Sequence, residues 1–321
     1  MDKTKSSTLQ VLSHVHTGFS MLDSTVKIDE LVETAKKYGY KAIGLTEHGN
    51  MFSMLPFYKK CKQEGIKPII GCEVYLPRTD DISDKNVQNR SNYHLVLYAK
   101  NDKGLHNLIQ LVSEGYTEGF YYKPRIDKSK LEKYSEGIVA TSACIGGEIP
   151  QLILEEKYEE AVKSAKKYKS IFGEDFYIEL QDHGLKEQLI VNPKLVKIAE
   201  SIESPLMLAN DVHYLKSEDS KAQDILLCIQ NDTTINDDTR MKMGSDQFYV
   251  KTPQEMAENY TNLRDDTVEK AIQNSNELIE SCNVELDTGE VYLPKVDYDR
   301  EQYDSAKQKL MHLSTEGARE K

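Results

Sequence analysis

Residues Leu9–Thr46 read LQVLSHVHTGFSMLDSTVKIDELVETAKKYGYKAIGLT. The stretch holds a strand candidate over 9–16, a helical pattern over 27–38 and a second strand candidate over 41–46. In its middle part Ile28, Leu31, Val32 and Ala35 fall on one helical face, and Gly39 is placed to stop the helix. Strand, helix and strand in succession are the unit of a parallel sheet.

The same alternation continues outward. Further strand candidates lie at 67–75, 93–99, 137–142, 175–181 and 205–210. Over 155–172, Tyr158, Ala161, Val162, Ala165 and Tyr168 repeat at helical spacing, with Gly173 after them. Seven alternating units predict an α/β fold, a closed barrel of the TIM type with one unit missing; an open doubly wound sheet is the alternative. The polar segment 76–92 (LPRTDDISDKNVQNRSN) predicts a long surface loop. After 215 the alternation stops. Residues 217–230 and 264–283 predict helices, a Pro-containing connector follows at 284–300, and 302–321 predicts a last helix with Leu310, Leu313 and Ala318 on its apolar side.

Bulk properties narrow the function classes. The chain has 321 residues and a formal net charge of −12, so its overall field does not draw it to DNA. Nucleic acid contact must then be local or helped by bound metal, which reverses the local sign of charge. No apolar run approaches the roughly 18 residues of a membrane span, so no membrane partner is expected. MDKTKSSTLQVLS lacks the apolar core of a signal peptide, which predicts a cytoplasmic protein. The five cysteines, Cys61, Cys72, Cys144, Cys228 and Cys282, form no C-x-x-C pair and are odd in number. A zinc ribbon or a disulfide framework is therefore not expected.

Metal-competent residues coincide with the strand ends. His14 and His16 sit two apart in LSHVHTG, and residues i and i+2 of a strand point to one face. Asp23 lies in the loop after that strand, His48 past the second, Glu73 near the end of the third and Cys144 past the fifth. Asp211 and His213 lie past the seventh. His94 opens the fourth apolar run rather than closing it, so it fits an all-parallel barrel poorly. In a β/α barrel the strand C-termini converge on one face, where active sites are built. Nine nitrogen, oxygen and sulfur donors suit Zn²⁺, Mn²⁺ or Fe and exceed what one ion takes, which predicts two or three divalent ions. His106 and His312 are read as ordinary polar residues, and Cys61, Cys228 and Cys282 as core.

Taken in order, HVHTGFSMLD, LTEHGNM, GCEVY, NYHLVLYAKN, GFYYKPRID, TSACIGGEIP, ELQDHG and NDVHY resemble the PHP domain of bacterial DNA polymerase III alpha subunits. The resemblance runs from about residue 9 to about 285, and the ending LPKVDYD…LMHLSTEGAREK is similar to the stretch where that family enters its palm domain. It implies a distorted (β/α)7 TIM-like barrel over 1–285, then a connector and the start of a truncated palm region over 286–321. It also implies a trinuclear centre: His14, His16, Glu73 and Asp211 on one ion; Glu73, His94 and Cys144 on a second; Asp23, His48 and His213 on the third. Asp23, Glu73 and Asp211 are the catalytic carboxylates on this reading. Two positions depart from the family's pattern, Glu47 for Asp and Ser24 for Gly; neither is a proposed ligand. His183 and Arg125 are candidate substrate contacts, Arg125 as a bidentate phosphate clamp. Phe120, Tyr121 and Tyr122 are candidates for base stacking, though a structural aromatic cluster is the favoured reading of them.

Three functions follow as expectations. The first is a metal-dependent phosphoesterase acting 3′→5′ on single-stranded or primer-terminus DNA, because clustered cations acidify water and clamp a phosphodiester's oxygens. The second is a silent module that supports the polymerase or docks a separate proofreading subunit. The third belongs to the parent alpha subunit, a DNA-directed nucleotidyltransferase that works with Mg²⁺ among other replisome subunits. Asp297 and Asp299 have a D-x-D spacing but sit in the connector, where they read as solvated acids, so the chain itself is expected to lack polymerase activity.

Overall fold

The computed structural model describes residues 8–289, 293 and 297–321. The rest of the predicted 284–300 connector lies outside them. The chain divides into two compact units, 1–285 and 286–321.

Among the described residues the first unit holds seven strands: β1 (Val11–Leu12), β2 (Ala42–Leu45), β3 (Lys67–Pro77), β4 (Asn92–Ala99), β5 (Ile138–Thr141), β6 (Phe176–Leu180) and β7 (Leu206–Leu208). Its helices are α1 (Ile28–Tyr38), α2 (Met54–Glu64), α3 (Asp102–Thr117), α4 (Lys128–Tyr134), α5 (Glu148–Leu154), α6 (Tyr158–Phe172), α7 (Lys186–Ser201), α8 (Ser220–Gln230), α9 (Pro253–Glu258) and α10 (Asp265–Ser281). The second unit holds α11 (Ala306–Arg319), on which Leu310 and Leu313 are exposed.

Local chemistry explains α1. Leu31, Val32 and Ala35 are buried on one stripe, while Asp29 and Glu30 in the first turn and Lys36 and Lys37 in the last complement the helix dipole. Gly39 takes φ 85°, and its N–H returns to the carbonyls of Ala35 and Lys36.

The strands follow one another around a single curled sheet in the order β1 to β7. One expectation is corrected here: the sheet is not all parallel. β4 runs antiparallel to both β3 and β5, with Tyr75 opposite His94 and Val96 opposite Thr141. The N-terminus of β4 therefore lies at the face where its neighbours end, and His94 joins the other candidate ligands by opening its strand. The long loop at 76–92 is also shorter than expected, because β3 continues to Pro77 and Val87–Arg90 forms a 3-10 turn.

The barrel closes between β1 and β7 in two ways. At the strands' C-terminal ends, Val15 and Val212 form an isolated parallel bridge, with His16 N–H on the Val212 carbonyl (2.9 Å) and Val212 N–H on the His14 carbonyl (3.0 Å). At the other end, side chains of α10 satisfy backbone groups of both strands' neighbourhoods. Ser275 Oγ accepts from Leu208 N–H (2.8 Å), Asn274 donates to the Leu206 carbonyl (2.8 Å) and Asn276 accepts from Gln10 N–H (2.8 Å). Buried backbone groups need partners, and α10 supplies those that the short β1 and β7 leave over.

Candidate metal centre

The structure brings all nine predicted donors to the C-terminal face of the barrel. His14, His16 and Glu73 are fully buried there, whereas His94, Asp23 and His48 keep 23%, 16% and 14% of their side chains exposed. The centre thus has a closed floor and one open side.

The floor has the spacing of a coordination shell. His14 Nε2 lies 3.2 Å from His16 Nε2, 3.5 Å from Glu73 Oε1 and 3.4 Å from Asp211 Oδ1. His16 Nε2 lies 3.5 Å from Glu73 Oε2 and 3.2 Å from Asp211 Oδ1. Donors about 2.0–2.1 Å from a tetrahedral ion are about 3.3 Å apart, so these four residues fit one ion without rearrangement. Beside them, His94 Nδ1 lies 3.0 Å from Glu73 Oε1, and Cys144 Sγ lies 3.7 Å from both. The longer sulfur distances match the longer metal–sulfur bond. The third group is tighter: His48 Nε2 sits 2.7 Å from Asp23 Oδ2, a hydrogen-bond distance, and His213 Nε2 sits 3.6 Å from the same oxygen. These donors must separate by several tenths of an ångström to share an ion.

Hydrogen bonding also fits a cation. Ser20 Oγ donates to Glu47 Oε2 (2.5 Å), so it accepts from the His48 N–H (3.0 Å) and from His16 Nδ1–H (3.1 Å). That leaves a bare lone pair on His16 Nε2, facing carboxylate oxygens that can only accept. Burial and the neighbouring His48 and His213 push the His16 imidazolium pKa down to about 3, so the ring is neutral. Glu73 Oε2, Asp211 Oδ1 and His48 Nδ1 are buried with no hydrogen-bond partner, although Glu73 Oε2 and His48 Nδ1 approach to 2.6 Å. Buried carboxylate oxygens without donors are costly, and a shared metal ion would satisfy them together. Burial works against a charged His14, yet the charges of Glu179 and Asp211 outweigh it and raise its pKa. The same anionic field favours a metal ion at Nε2.

Backbone and outer contacts hold the donors in place. Ala143, before Cys144, and Asp211 itself take φ 59° and 48°, conformations that non-glycine residues rarely adopt. His213 Nδ1–H donates to the Asp211 carbonyl (2.9 Å), which turns Nε2 toward Asp23. Sequence reasoning gave no role to Glu179 or Glu47. Glu179 Oε1 accepts from His14 Nδ1–H (2.7 Å) and from Gln181 (2.7 Å), and its other oxygen accepts from Thr141. Glu47 accepts from Thr17 N–H (3.0 Å), Ser20 and Ser53 (2.7 Å) and so pins the loop that follows β1. A carboxylate inside an apolar strand, as in FYIEL, was the available signal for Glu179.

The two candidate substrate contacts, Arg125 and His183, are both buried and bonded within the chain. Arg125 is fully buried, and its guanidinium donates to the carbonyls of Gly119 (3.0 Å), Asp84 (3.0 Å) and Ile82 (2.6 Å). Buried and bonded to three carbonyls, it fastens the 78–91 segment from within the fold. His183 is buried as well: Nε2–H donates to the Asn210 carbonyl (2.6 Å), and Nδ1 accepts from Gln188 (2.8 Å). It braces the residue before Asp211. Lys251, also buried, holds the same residue through Asn210 Oδ1 (3.0 Å).

The family model described as the PHP domain matches residues 13–183, which span β2 through β6. The chain belongs to the PHP domain family. Its curated relatives include the DNA polymerase III alpha subunits of Borreliella burgdorferi, 46% identical over 84% of this chain and 23% of that one, and of Treponema pallidum, 40% identical over 95% and 26%. The Aquifex aeolicus alpha subunit is 41% identical over 88% and 25%. The chain thus spans about a quarter of the length of these relatives. A Bacteroides vulgatus crystal structure, described as a two-domain protein containing a predicted PHP-like metal-dependent phosphoesterase, aligns at TM-score 0.40 and 13% identity over 86% of this chain and 70% of that one. Among the described residues, no helix of this PHP chain is long and apolar enough to cross a membrane.

Proposed function

We propose that this PHP domain is a phosphoesterase with two or three divalent ions, Zn²⁺ or Mn²⁺ with Fe as a further choice, and that it removes nucleotides 3′→5′ from single-stranded DNA. On this reading it is the PHP portion of a polymerase III alpha subunit, placed to edit misincorporated primer ends. The observation that carries the proposal is Glu73, whose two oxygens face His14 and His94 on one side and His16 and His48 on the other. A bridging carboxylate of this kind serves multinuclear chemistry. Bound ions would acidify water and neutralise charge on the phosphodiester. His14, His16, Glu73 and Asp211 hold the closed floor, and Asp23, His48 and His94 line the side that solvent reaches. A terminal phosphate therefore enters past Asp23, His48 and His94, while the floor excludes water from beneath.

The test uses 3′-labelled and 5′-labelled oligonucleotides with Mn²⁺ or Zn²⁺. Wild type should release the 3′ label first and slowly, and His14→Ala and Asp211→Ala should abolish release. Activity that survives both substitutions belongs to a contaminant. Full metal occupancy with no hydrolysis favours the scaffold reading, in which the domain supports the rest of the alpha subunit. Primer extension by this chain is not expected. Asp297 and Asp299 are exposed, and Asp299 caps the turn at Glu301 through a 2.9 Å hydrogen bond.

A further inference from the structure

A set of exposed aromatic rings begins on the segment that follows His48. Phe52, four residues past His48, is 58% exposed, and Phe120 is 50% exposed. Tyr116 links them: its ring centroid lies 6.2 Å from Phe52 and 6.2 Å from Phe120, the latter pair stacked at 25°. Such rings normally collapse into a core or against one another. Here three of them form an open row on the surface.

Packing ties this row to the ligands. Gly49 sits so close to the 75 and 124 positions that a Cβ there would lie 2.8 Å from Pro124 and 2.9 Å from the Tyr75 ring. The backbone of 121–125 returns to the same face through a parallel bridge between Tyr75 and Arg125. The Tyr75 ring in turn lies 6.1 Å from His48 and 5.3 Å from His94, two of the three partly exposed candidate ligands on this side. Gly49 and Pro124, on the segments that carry Phe52 and Phe120, thus pack at the ring that neighbours His48 and His94.

Cations stand beside it. Lys123, exposed, lies 5.5 Å over the Tyr75 ring, and Arg90, exposed, lies 5.2 Å over Tyr122. Tyr122 takes φ 60° and is 60% exposed, so the chain accepts a strained backbone to hold an aromatic ring in solvent. Glu118, the acid beside Phe120, is neutralised by Lys130 at 2.7 Å. Rings to stack on and cations to meet phosphates are what single-stranded nucleic acid requires. On a chain with net charge −12, that pairing is a local exception.

We infer that Phe52, Tyr116 and Phe120 form a stacking platform for the unpaired bases that precede a 3′ end, with Lys123 beside the phosphate that enters the metal centre. The inference rests on the nuclease reading for its direction, and its test is a binding measurement that needs no hydrolysis. A short fluorescent oligothymidylate with 3′ phosphorothioate linkages is compared with the same oligomer made abasic near its 3′ end. The metal-loaded chain should bind the base-bearing oligomer about tenfold more tightly. Phe52→Ala and Phe120→Ala, checked for wild-type circular dichroism and metal content, should each remove most of that difference, and Phe120→Trp should keep it. 2-Aminopurine near the 3′ end should be quenched by wild type and not by the alanine variants. Equal binding of both oligomers alongside 3′→5′ hydrolysis overturns the platform and leaves the nuclease reading. Base-dependent binding with no hydrolysis under any metal leaves the platform and overturns the nuclease reading. Self-association that Phe52→Ala abolishes, without any preference for bases, overturns the platform in favour of a protein interface.

Discussion

Glu179 Oε1 receives the Nδ1–H of His14 at 2.7 Å, which leaves His14 Nε2 aimed at Glu73 and Asp211. A carboxylate behind a histidine ligand fixes its tautomer and raises its basicity. Glu179 touches none of the proposed ion positions, so its effect travels through the ring. Glu179→Gln should weaken metal binding by about 10–100-fold while leaving the fold in place. Competition against a fluorescent chelator measures this. Unchanged affinity would show that the ring is held by Gln181 and packing instead.

Glu73 is the donor common to the first two groups, and its Oε2 also lies 2.6 Å from His48. Glu73→Ala should therefore strip metal from more than one position. Elemental analysis of the purified variant should find less than half of the wild-type content. Content equal to wild type would sink the bridging assignment.

The barrel was legible in the sequence because its signals are local. Apolar runs and 3.6-residue stripes mark β2, β3, α1 and α6 with little dependence on neighbours, and Gly39 marks the end of α1 by its backbone conformation. The direction of β4 was not legible. Strand polarity depends on which edges pair, and an apolar run such as Leu95–Ala99 reads alike either way. His94 carried the trace, as a candidate ligand at the wrong end of its run. The candidate ligand types were visible for the same reason: imidazole, carboxylate and thiol at strand ends are chemically distinctive. Arg125 and His183 looked like substrate contacts because their partners are backbone carbonyls far away in sequence, at Ile82, Asp84 and Asn210.

Arg125 is a buried cation with no carboxylate bonded to it, held by three carbonyls. Removing it leaves those carbonyls without donors and frees the segment before β4. Arg125→Met should cost about 2–4 kcal/mol in urea unfolding. It should also speed amide exchange over 79–90. Loss of oligonucleotide binding without loss of stability would restore the phosphate-clamp role.

Glu114 joins α3 to α4. It accepts from Lys130 Nζ at 2.5 Å and from Lys133 at 3.4 Å, and also from the Tyr134 hydroxyl, with 15% of its side chain exposed. Burial acts to raise its pKa, but the hydrogen bonds from Lys130 and Tyr134 and the lysine charges outweigh it and hold the carboxyl at about 2, against an ordinary 4.5. A carboxyl depressed on folding binds fewer protons in the native state than in the unfolded chain. Its contribution is therefore complete above the unfolded pKa and is lost as pH falls from 4.5 toward about 2. Glu114→Gln should cost about 1–3 kcal/mol at neutral pH. The gap between wild type and variant should narrow steadily below pH 4.5. Urea unfolding of both proteins across that range gives the comparison, and a penalty that stays constant with pH would mean that the glutamate acts by shape rather than by charge.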